Sequence, residues 1–281
     1  MQGRGSATVR GAGRVRSFLI AIGIARAVIA AAFVFALGPV AALWPMPDTT
    51  PISFLFLGSI LAAAAASNLW AGLGRHDAAF AGIALYYITI FVPTAVLSGL
   101  LALGVVSAPA GVGVGYPALA LLSVALIAFG VWLYRWSRQF PTRDPRPTPR
   151  LVQISFWVFI AALVVLGLAC VAGVPNILPW KVTVEQSRVF GAMFIGAAAY
   201  FAYGAAQGRW EHAAGQLAGV LAYDLVLIVP FSLRLGIIEP ALFGSLVICL
   251  IVLSYSGALA IWYLFLDPRT RLGSVPPVVT G

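Results

Sequence analysis

Residues 213–234 read AAGQLAGVLAYDLVLIVPFSLR, and Asp224 is the one acidic side chain in this stretch. A membrane-spanning helix needs about 20 mostly apolar residues, so the stretch predicts a helix that crosses a bilayer. Further runs of this kind occur at roughly 18–43, 52–73, 78–101, 117–134, 152–173, 188–207 and 240–265. We therefore expect an all-α, polytopic bundle of about eight transmembrane helices.

The composition excludes an ordinary soluble domain. Of the 281 residues, 62% are hydrophobic and 9% are charged, and the mean hydropathy is +1.00. Soluble domains are about 45–50% apolar and about 25% charged. Because so few polar side chains cannot cover a globule of this size, we expect the lipid bilayer to be the main partner of the surface.

The loops alternate in charge along the chain. Thirteen basic residues lie in the N-terminal tail, the second, fourth and sixth loops and the C-terminal tail, whereas the other loops hold Lys181, Arg188 and Arg234. The positive-inside rule then predicts that both termini are cytoplasmic and that the protein lies in the inner, or plasma, membrane. This placement explains the net charge of +9 without nucleic acid, which we do not expect as a partner.

The distance of a side chain from the predicted ends of its helix indicates its depth in the membrane. Trp180 and Trp210 fall near the two membrane surfaces, where aromatic belts form. Arg26 lies inside the first apolar run. It either extends to the cytoplasmic surface, as long basic side chains do, or pairs with Asp224.

The two halves of the chain resemble each other. Gly74-Arg75-His76-Asp77 matches Gly208-Arg209-Trp210-Glu211, and each lies at the cytoplasmic end of the second helix of its half. Further matches follow the same order at nearly constant spacing: Ala63–Ala65 with Ala197–Ala199, Ala81-Gly82 with Ala218-Gly219, Tyr86 with Tyr223, and Val92-Pro93 with Val229-Pro230. We interpret them as two tandem four-helix repeats. Because four is an even number of spans, the repeats are parallel and related by an axis along the membrane normal.

This interpretation divides the chain into five parts. They are a basic cytoplasmic tail (1–17), the first repeat (18–134), a cytoplasmic linker rich in arginine and proline (135–151), the second repeat (152–265) and a cytoplasmic tail (266–281). The prolines of the linker exclude a continuous helix. Its arginines either set the topology or contact anionic lipid head groups.

Asp224 is the candidate binding residue. It lies about eleven residues, or roughly 16 Å, into its run and thus near the bilayer midplane, where a charge costs at least about 2.5–3.5 kcal/mol. It is either a proton, cation or substrate site, or a protonated side chain bonded to a neighbouring helix. Tyr223, Gln216 and Ser256 are expected nearby, and Tyr87 holds the equivalent position in the first half.

Two pairs of neighbours, His76-Asp77 and Glu211-His212, combine a histidine with a carboxylate in the predicted cytoplasmic loops. Symmetric packing of the halves would bring them together as a general-base or metal cluster. Capping of helix N-termini and solvation at the interface explain them more simply. No nucleophile elbow, P-loop, HExxH or CxxC motif occurs in its required context. We therefore predict no catalytic residue, metal or cofactor, and no enzyme.

Small residues recur at a spacing of four, which allows helices to approach closely. The pairs are Gly204 with Gly208, Gly215 with Gly219, and Ala78 with Gly82. They serve either the packing of the core or an interface with a second copy of the chain or another membrane protein.

Three functions fit these patterns. The parallel repeat, the paired Pro93 and Pro230 and the midplane carboxylate favour a transport or permease-like protein with a site between the halves near Asp224. The apolar spans and short loops would also suit a non-catalytic accessory or structural subunit of a membrane complex. A lipid-modifying enzyme that uses His76 and His212 is the third.

One motif in the second half resembles a motif in multi-pass membrane proteins of high-GC bacteria. It consists of Trp180, Thr183, Ser187-Arg188 and Gly191-Ala192. The first half departs from it, with Phe54 in place of Arg188 and Leu57-Gly58 in place of Gly191-Ala192. Those proteins have no assigned activity, so the resemblance implies a multi-pass membrane protein and no particular chemistry.

Overall fold

The structure is a computed structural model that describes residues 3–41, 44, 46, 48–105 and 115–272, with side chains for all of these except residues 3–11, 40 and 41. Within these ranges, eight helices are long and apolar enough to cross a membrane, and no β-strand is present. The predicted all-α, polytopic bundle is confirmed. Residues 1–2, and residues 273–281 of the predicted C-terminal tail, lie outside the described ranges.

The eight long helices are labelled in chain order. They are α1 (Gly3–Val34), α2 (Pro51–Leu73), α3 (Phe80–Ala102), α4 (Gly115–Ser137), α5 (Arg150–Val171), α6 (Val184–Gln207), α7 (Trp210–Leu233) and α8 (Pro240–Ile261). A short helix (Gly38–Ala41) follows α1, a 3₁₀ turn (Asp77–Ala79) precedes α3, and a π-helical turn (Trp262–Leu266) continues α8.

The first helix differs from its predicted bounds. It ends at Val34 rather than near residue 43, because Ala36 adopts a left-handed conformation with φ of 48° that a continuing helix cannot accommodate. The short helix then starts at Gly38, with Pro39 in its first turn, a position that suits proline. In the other direction α1 extends back to Gly3, so most of the predicted basic tail is helical.

Matching threonines begin the second helix of each half. The Thr50 Oγ1 atom accepts a hydrogen bond from the Ser53 backbone N–H at 3.2 Å, and Thr183 Oγ1 accepts one from the Gln186 N–H at 3.3 Å. Each hydroxyl satisfies a backbone donor that the first turn leaves unpaired. These caps explain why α2 and α6 begin where they do.

Contacts define two ends of the bundle. The arginine-rich end is formed by the start of α1, the α2–α3 and α6–α7 corners and linker residues 138–149. At this end the Ser137 hydroxyl donates a hydrogen bond to the Asp77 carbonyl at 2.7 Å. At the opposite end, the Trp180 indole N–H donates to Ser53 Oγ at 3.0 Å. Successive helices therefore alternate in direction, as consecutive spans must.

Helix packing follows the same pattern in both halves. Within the halves α1 packs on α2, α3 on α4, α5 on α6 and α7 on α8, and between the halves α2 packs on α7 and α3 on α6. A twofold axis that exchanges the halves would produce these pairings, because α6 is the counterpart of α2 and α7 is the counterpart of α3. The duplication itself stays a prediction from the sequence.

The small residues are used where the two halves meet. A Cβ atom added to Gly219 would lie 3.0 Å from the Ala63 carbonyl oxygen, and one added to Gly215 would lie 2.9 Å from Trp70 Cε3. A Cβ on Gly82 would lie 2.8 Å from Tyr200 Cε2. These glycines therefore allow α2 to approach α7 and α3 to approach α6, which is packing inside the chain.

Candidate functional site

A cavity of about 400 Å³ lies among α2, α3, α5, α6, α7 and α8 and thus involves both halves of the chain. Most of its wall is apolar, and Asp224, Gln216, Tyr223 and Ser256 are among its polar lining residues. Its volume falls within the range of about 300–1,000 Å³ that is typical of small-molecule sites.

The cavity exists because α5 and α8 face each other without packing along their lengths. Residues spaced three or four apart share one face of a helix. Such a face of α5, with Phe159, Leu163 and Leu166, lines one side, and the α8 face with Cys249 and Val252 lines the other. The gap between these two faces extends the cavity toward the outside of the bundle.

Asp224 is a buried wall residue of this cavity, with 4% of its surface exposed. Its Oδ2 atom lies 2.7 Å from the hydroxyl of Ser256 on α8. Gly257 lies beside it, and a Cβ atom there would make an ordinary van der Waals contact with Asp224 Oδ2 at 3.4 Å. Ser256 was one of the three neighbours expected from the sequence.

The Ser256 hydroxyl has three acceptors within reach, the farthest being the Leu253 carbonyl at 3.3 Å, and one proton to donate. Its Oγ atom lies 2.7 Å from Asp224 Oδ2 and 2.8 Å from the Val252 carbonyl oxygen. When the proton goes to Asp224, the carboxylate is the acceptor. When it goes to Val252, the usual bond of a helical serine, a protonated Asp224 donates to Ser256. The pair can therefore hold Asp224 in either protonation state.

No basic side chain neutralises Asp224 among the described residues: none of their ion pairs includes it, and no Arg, Lys or His lines the cavity. Arg26, the alternative partner considered from the sequence, lies instead over the ring of Tyr87 at 4.5 Å from its centroid. The electrostatic character of the cavity is therefore neutral or negative.

Gln216 and Tyr223 line the same cavity. The Gln216 side-chain amide donates to the Tyr200 carbonyl at 2.5 Å and ties α7 to α6. Its Oε1 atom is buried without a hydrogen-bond partner. Three of the four binding candidates from the sequence, Asp224, Tyr223 and Gln216, thus converge, and Gln216 contributes a free acceptor.

Tyr87, the fourth candidate, lies apart from them in the first half. Its ring is 2% exposed and packs edge-on against Phe129 of α4 at 5.4 Å, with Arg26 of α1 near its face. Phe18 of α1 also contacts Phe129, at 6.3 Å between centroids. Aromatic side chains thus fill the region of the first half that corresponds to the gap between α5 and α8.

Trp180 is a cavity residue that the sequence did not assign to the site. The belt positions predicted for Trp180 and Trp210 are wrong, because these side chains are 5% and 1% exposed. Trp180 packs against Phe56 at 5.3 Å and Phe231 at 5.9 Å and closes the cavity at the end opposite the arginines. Its indole N–H donates to Ser53 of the other half, a contact between distant segments for which hydropathy offers no signal.

The predicted cluster of His76, Asp77, Glu211 and His212 lies at the arginine-rich end, where some of the four side chains meet. The His76 Nδ1 atom lies 3.7 Å from Glu211 Oε1, across the two halves, and the His76 ring stacks on Trp70 at 4.2 Å. His212 packs edge-on against Tyr203 at 5.3 Å. Asp77 instead pairs with Arg16, whose Nε atom donates to Oδ1 at 2.9 Å. The four residues therefore form three separate sets of contacts.

Glu211 anchors the linker between the halves. Its side chain is fully buried, so the expected solvation at the interface is wrong for this residue. Its Oε2 atom accepts the backbone N–H groups of Arg143 and of Asp144, the latter at 2.8 Å. Among the described residues, no three His, Cys, Asp or Glu side chains are arranged to hold a metal ion. The contacts of Glu211 are those of a structural residue.

No protein-family model, curated protein or solved structure matches this chain. The Asp224 cavity is therefore the feature of the molecule from which its function is inferred.

Proposed function

We propose that the protein is a transport or permease-like membrane protein whose binding site is the cavity at Asp224. The observation that carries this proposal is a cavity of about 400 Å³, shared by both halves, with a buried carboxylate in its wall. Ionisable groups at this depth in a span are costly and are typical of substrate and ion pathways. If this region were only a static core, an apolar residue at position 224 would stabilise the fold more than Asp224 does.

The arrangement of the helices supports the same function. We propose that the halves are parallel repeats related by an axis along the membrane normal, and that the arginine-rich end is cytoplasmic in the inner membrane. Binding sites of repeat transporters typically lie near the midplane where the repeats meet. The cavity meets this description, because helices of both halves line it.

We further propose that the site binds its occupant without catalysis. Its polar wall includes Asp224, Gln216, Tyr223 and Ser256, and the described lining residues include no histidine or lysine that would take a proton from the Ser256 hydroxyl. Of the small residues that the accessory-subunit alternative would use for a partner, Gly215, Gly219 and Gly82 are occupied by contacts between α2 and α7 and between α3 and α6. The transport alternative is therefore the better supported one.

The test compares Asp224→Asn with wild-type protein, both extracted in native lipid discs. Asparagine keeps the size and hydrogen-bonding capacity at position 224 but cannot ionise, so the fold should survive. Mass spectrometry of the extracts should find a small molecule in the wild type that falls by about tenfold in the variant, as expected when about 1.4 kcal/mol of binding is lost. In proteoliposomes, flux of that molecule should be lost in the same variant.

Asp48→Asn is the matched control. Asp48 lies exposed in the loop before α2 with φ of 55°, a conformation that asparagine tolerates well. The Asp48→Asn variant should retain the same co-extracted small molecule and the same flux as the wild type. Identical extracts and equal flux in Asp224→Asn and wild type would overturn the proposal, and a stoichiometric protein partner in both would favour the accessory subunit.

A further inference from the structure

The geometry of the cavity points to its substrate class, and this inference rests on the proposed function. We propose that the site takes a single-chain lipid whose head group donates hydrogen bonds, a long-chain alcohol or amine. We also propose that this lipid enters sideways from the bilayer, through the gap between α5 and α8.

The cavity opens on the outer surface of the bundle. Ala162 of α5 and Val252 and Ile248 of α8 line it, yet all three are exposed, Ile248 by 65%. These side chains border both the cavity and the outer surface, and α5 and α8 do not pack together between them, so the cavity reaches the surface here. The surrounding helix surfaces are apolar, with Val158, Val165 and Ile251 exposed nearby, so the opening faces hydrocarbon.

Hydrogen bonds close the gap at both of its ends. Near the arginine-rich end, Ser155 Oγ and Tyr255 Oη are hydrogen-bonded at 2.6 Å and join α5 to α8. Near the opposite end, the Ser245 hydroxyl donates to the Asn176 carbonyl at 2.7 Å. The opening is thus a slot that lies within the length of the two spans. A molecule dissolved in the bilayer reaches it directly.

The wall favours a hydrocarbon chain as the larger part of the occupant. Phe159, Leu163 and Leu166 face Cys249 and Leu253 across the cavity. Apolar cavities stay dry and bind apolar molecules. A water-soluble polar substrate would lose its hydration on entry and regain few hydrogen bonds.

The polar groups of the wall select the head group. Asp224 presents carboxyl oxygens, and Gln216 Oε1 is buried with no donor. These acceptors are two turns apart on α7, or about 12 Å. At this separation one head group bonds one of them: Gln216 Oε1, which has no partner, or Asp224, which already accepts from Ser256. Either oxygen accepts a donor, which a hydroxyl or ammonium group supplies. A carboxylate or phosphate head group would find no basic side chain in the lining. It would instead face the carboxyl group of Asp224.

The experiment uses three photoactivatable probes of equal chain length: hexadecanol, hexadecylamine and hexadecanoate, each with a diazirine and an alkyne in its chain. Each probe is added to the full-length protein in phosphatidylcholine discs at neutral pH, irradiated, and mapped by mass spectrometry. The variant Ala162→Trp narrows the slot. The variant Ala161→Trp places the same bulk on the neighbouring exposed residue, which does not line the cavity.

We expect the alcohol or the amine to label the cavity faces of α5 and α8, and hexadecanoate to label only the outer surface. Labelling inside should fall by about tenfold in Ala162→Trp and stay unchanged in Ala161→Trp. The extent of inner labelling by the alcohol and by the amine shows whether the site prefers a hydroxyl or an ammonium group. If Ala162→Trp does not fold, the ratio of inner to outer labelled residues in the wild type carries the test.

Labelling confined to outer surfaces, or equal inner labelling by hexadecanoate, would overturn the inference. The two proposals fail separately. Inner labelling without flux in proteoliposomes would leave a lipid-binding site and remove transport. Flux of a water-soluble molecule that depends on Asp224, without inner labelling, would leave transport and remove the lipid.

Discussion

At the scale of single residues, the site depends on a short polar contact in apolar surroundings. Asp224 is 4% exposed and its hydrogen bond comes from Ser256 on the next helix. Because the hydroxyl can donate either to Asp224 or to the Val252 carbonyl, the carboxyl group can gain or lose a proton and keep its neighbour. A buried group with this freedom suits binding of neutral and of cationic donors.

Removing the hydroxyl should leave Asp224 without its partner. We expect Ser256→Ala to lower the free energy of unfolding by about 1–3 kcal/mol, the typical cost of leaving a buried polar group unsatisfied. The measurement is thermal unfolding in detergent, followed by tryptophan fluorescence. Ser232→Ala is the control, because Ser232 is exposed and its hydroxyl bonds only the Ile228 carbonyl of its own helix. Equal shifts in both variants would show that the Asp224 contact adds no stability.

At the scale of helices, close approach of backbones holds the central four together. Gly219 lies where α7 meets α2, and a Cβ atom there would be 2.6 Å from Ser67 Oγ and 3.0 Å from the Ala63 carbonyl. A carbonyl is part of the backbone and cannot move aside without shifting the helix. The packing of α2 on α7 therefore limits position 219 to glycine.

Gly219→Ala should destabilise the protein by about 1–3 kcal/mol, as overpacking of a core does. Gly244→Ala on α8 meets nothing within 4 Å and should stabilise the helix slightly, by about 0.5–1 kcal/mol. Unfolding temperatures of the two variants in the same detergent should therefore move in opposite directions. A tolerated alanine at position 219 would mean that α2 and α7 lie farther apart than described.

The linker is the second feature at this scale. Glu211 accepts two of its backbone N–H groups, and bonds to a charged acceptor are about twice as strong as neutral ones. Glu211→Gln should release residues 143–144 and increase the rate of tryptic cleavage after Arg143 by about tenfold, since cleavage follows local opening. Glu239→Gln, which removes an exposed pair with Lys181, should leave that rate unchanged. Resistance of the Glu211 variant would argue that other contacts hold the linker.

At the scale of the whole molecule, similar helix pairings produce two different interiors. In the first half, Tyr87, Phe129 and Arg26 fill the region between α1 and α4. In the second half, Asp224, which the predicted repeat pairs with Tyr87, lines the cavity, and the region between α5 and α8 is open. The first half therefore has a packed interior, whereas the second half has a cavity.

The sequence predicts the membrane spans and the importance of Asp224, but it does not predict how the helices end and pack. Length and apolar composition determine the spans, because a helix must cover the bilayer thickness, and Asp224 is conspicuous because a carboxyl group is costly there. The end of α1 depends on the left-handed Ala36, which apolar composition does not reveal. The burial of Trp180 and the gap between α5 and α8 depend on packing between distant segments, which hydrophobic patterns do not encode.

The most direct test of the central claim is an experimental structure of the protein in lipid discs, with a bound antibody fragment to aid alignment. We predict elongated density between α5 and α8 that reaches Asp224, with Ser155 and Tyr255 in contact at one end of the slot. Helices α5 and α8 packed along their whole length, with side chains filling the space beside Asp224, would contradict it.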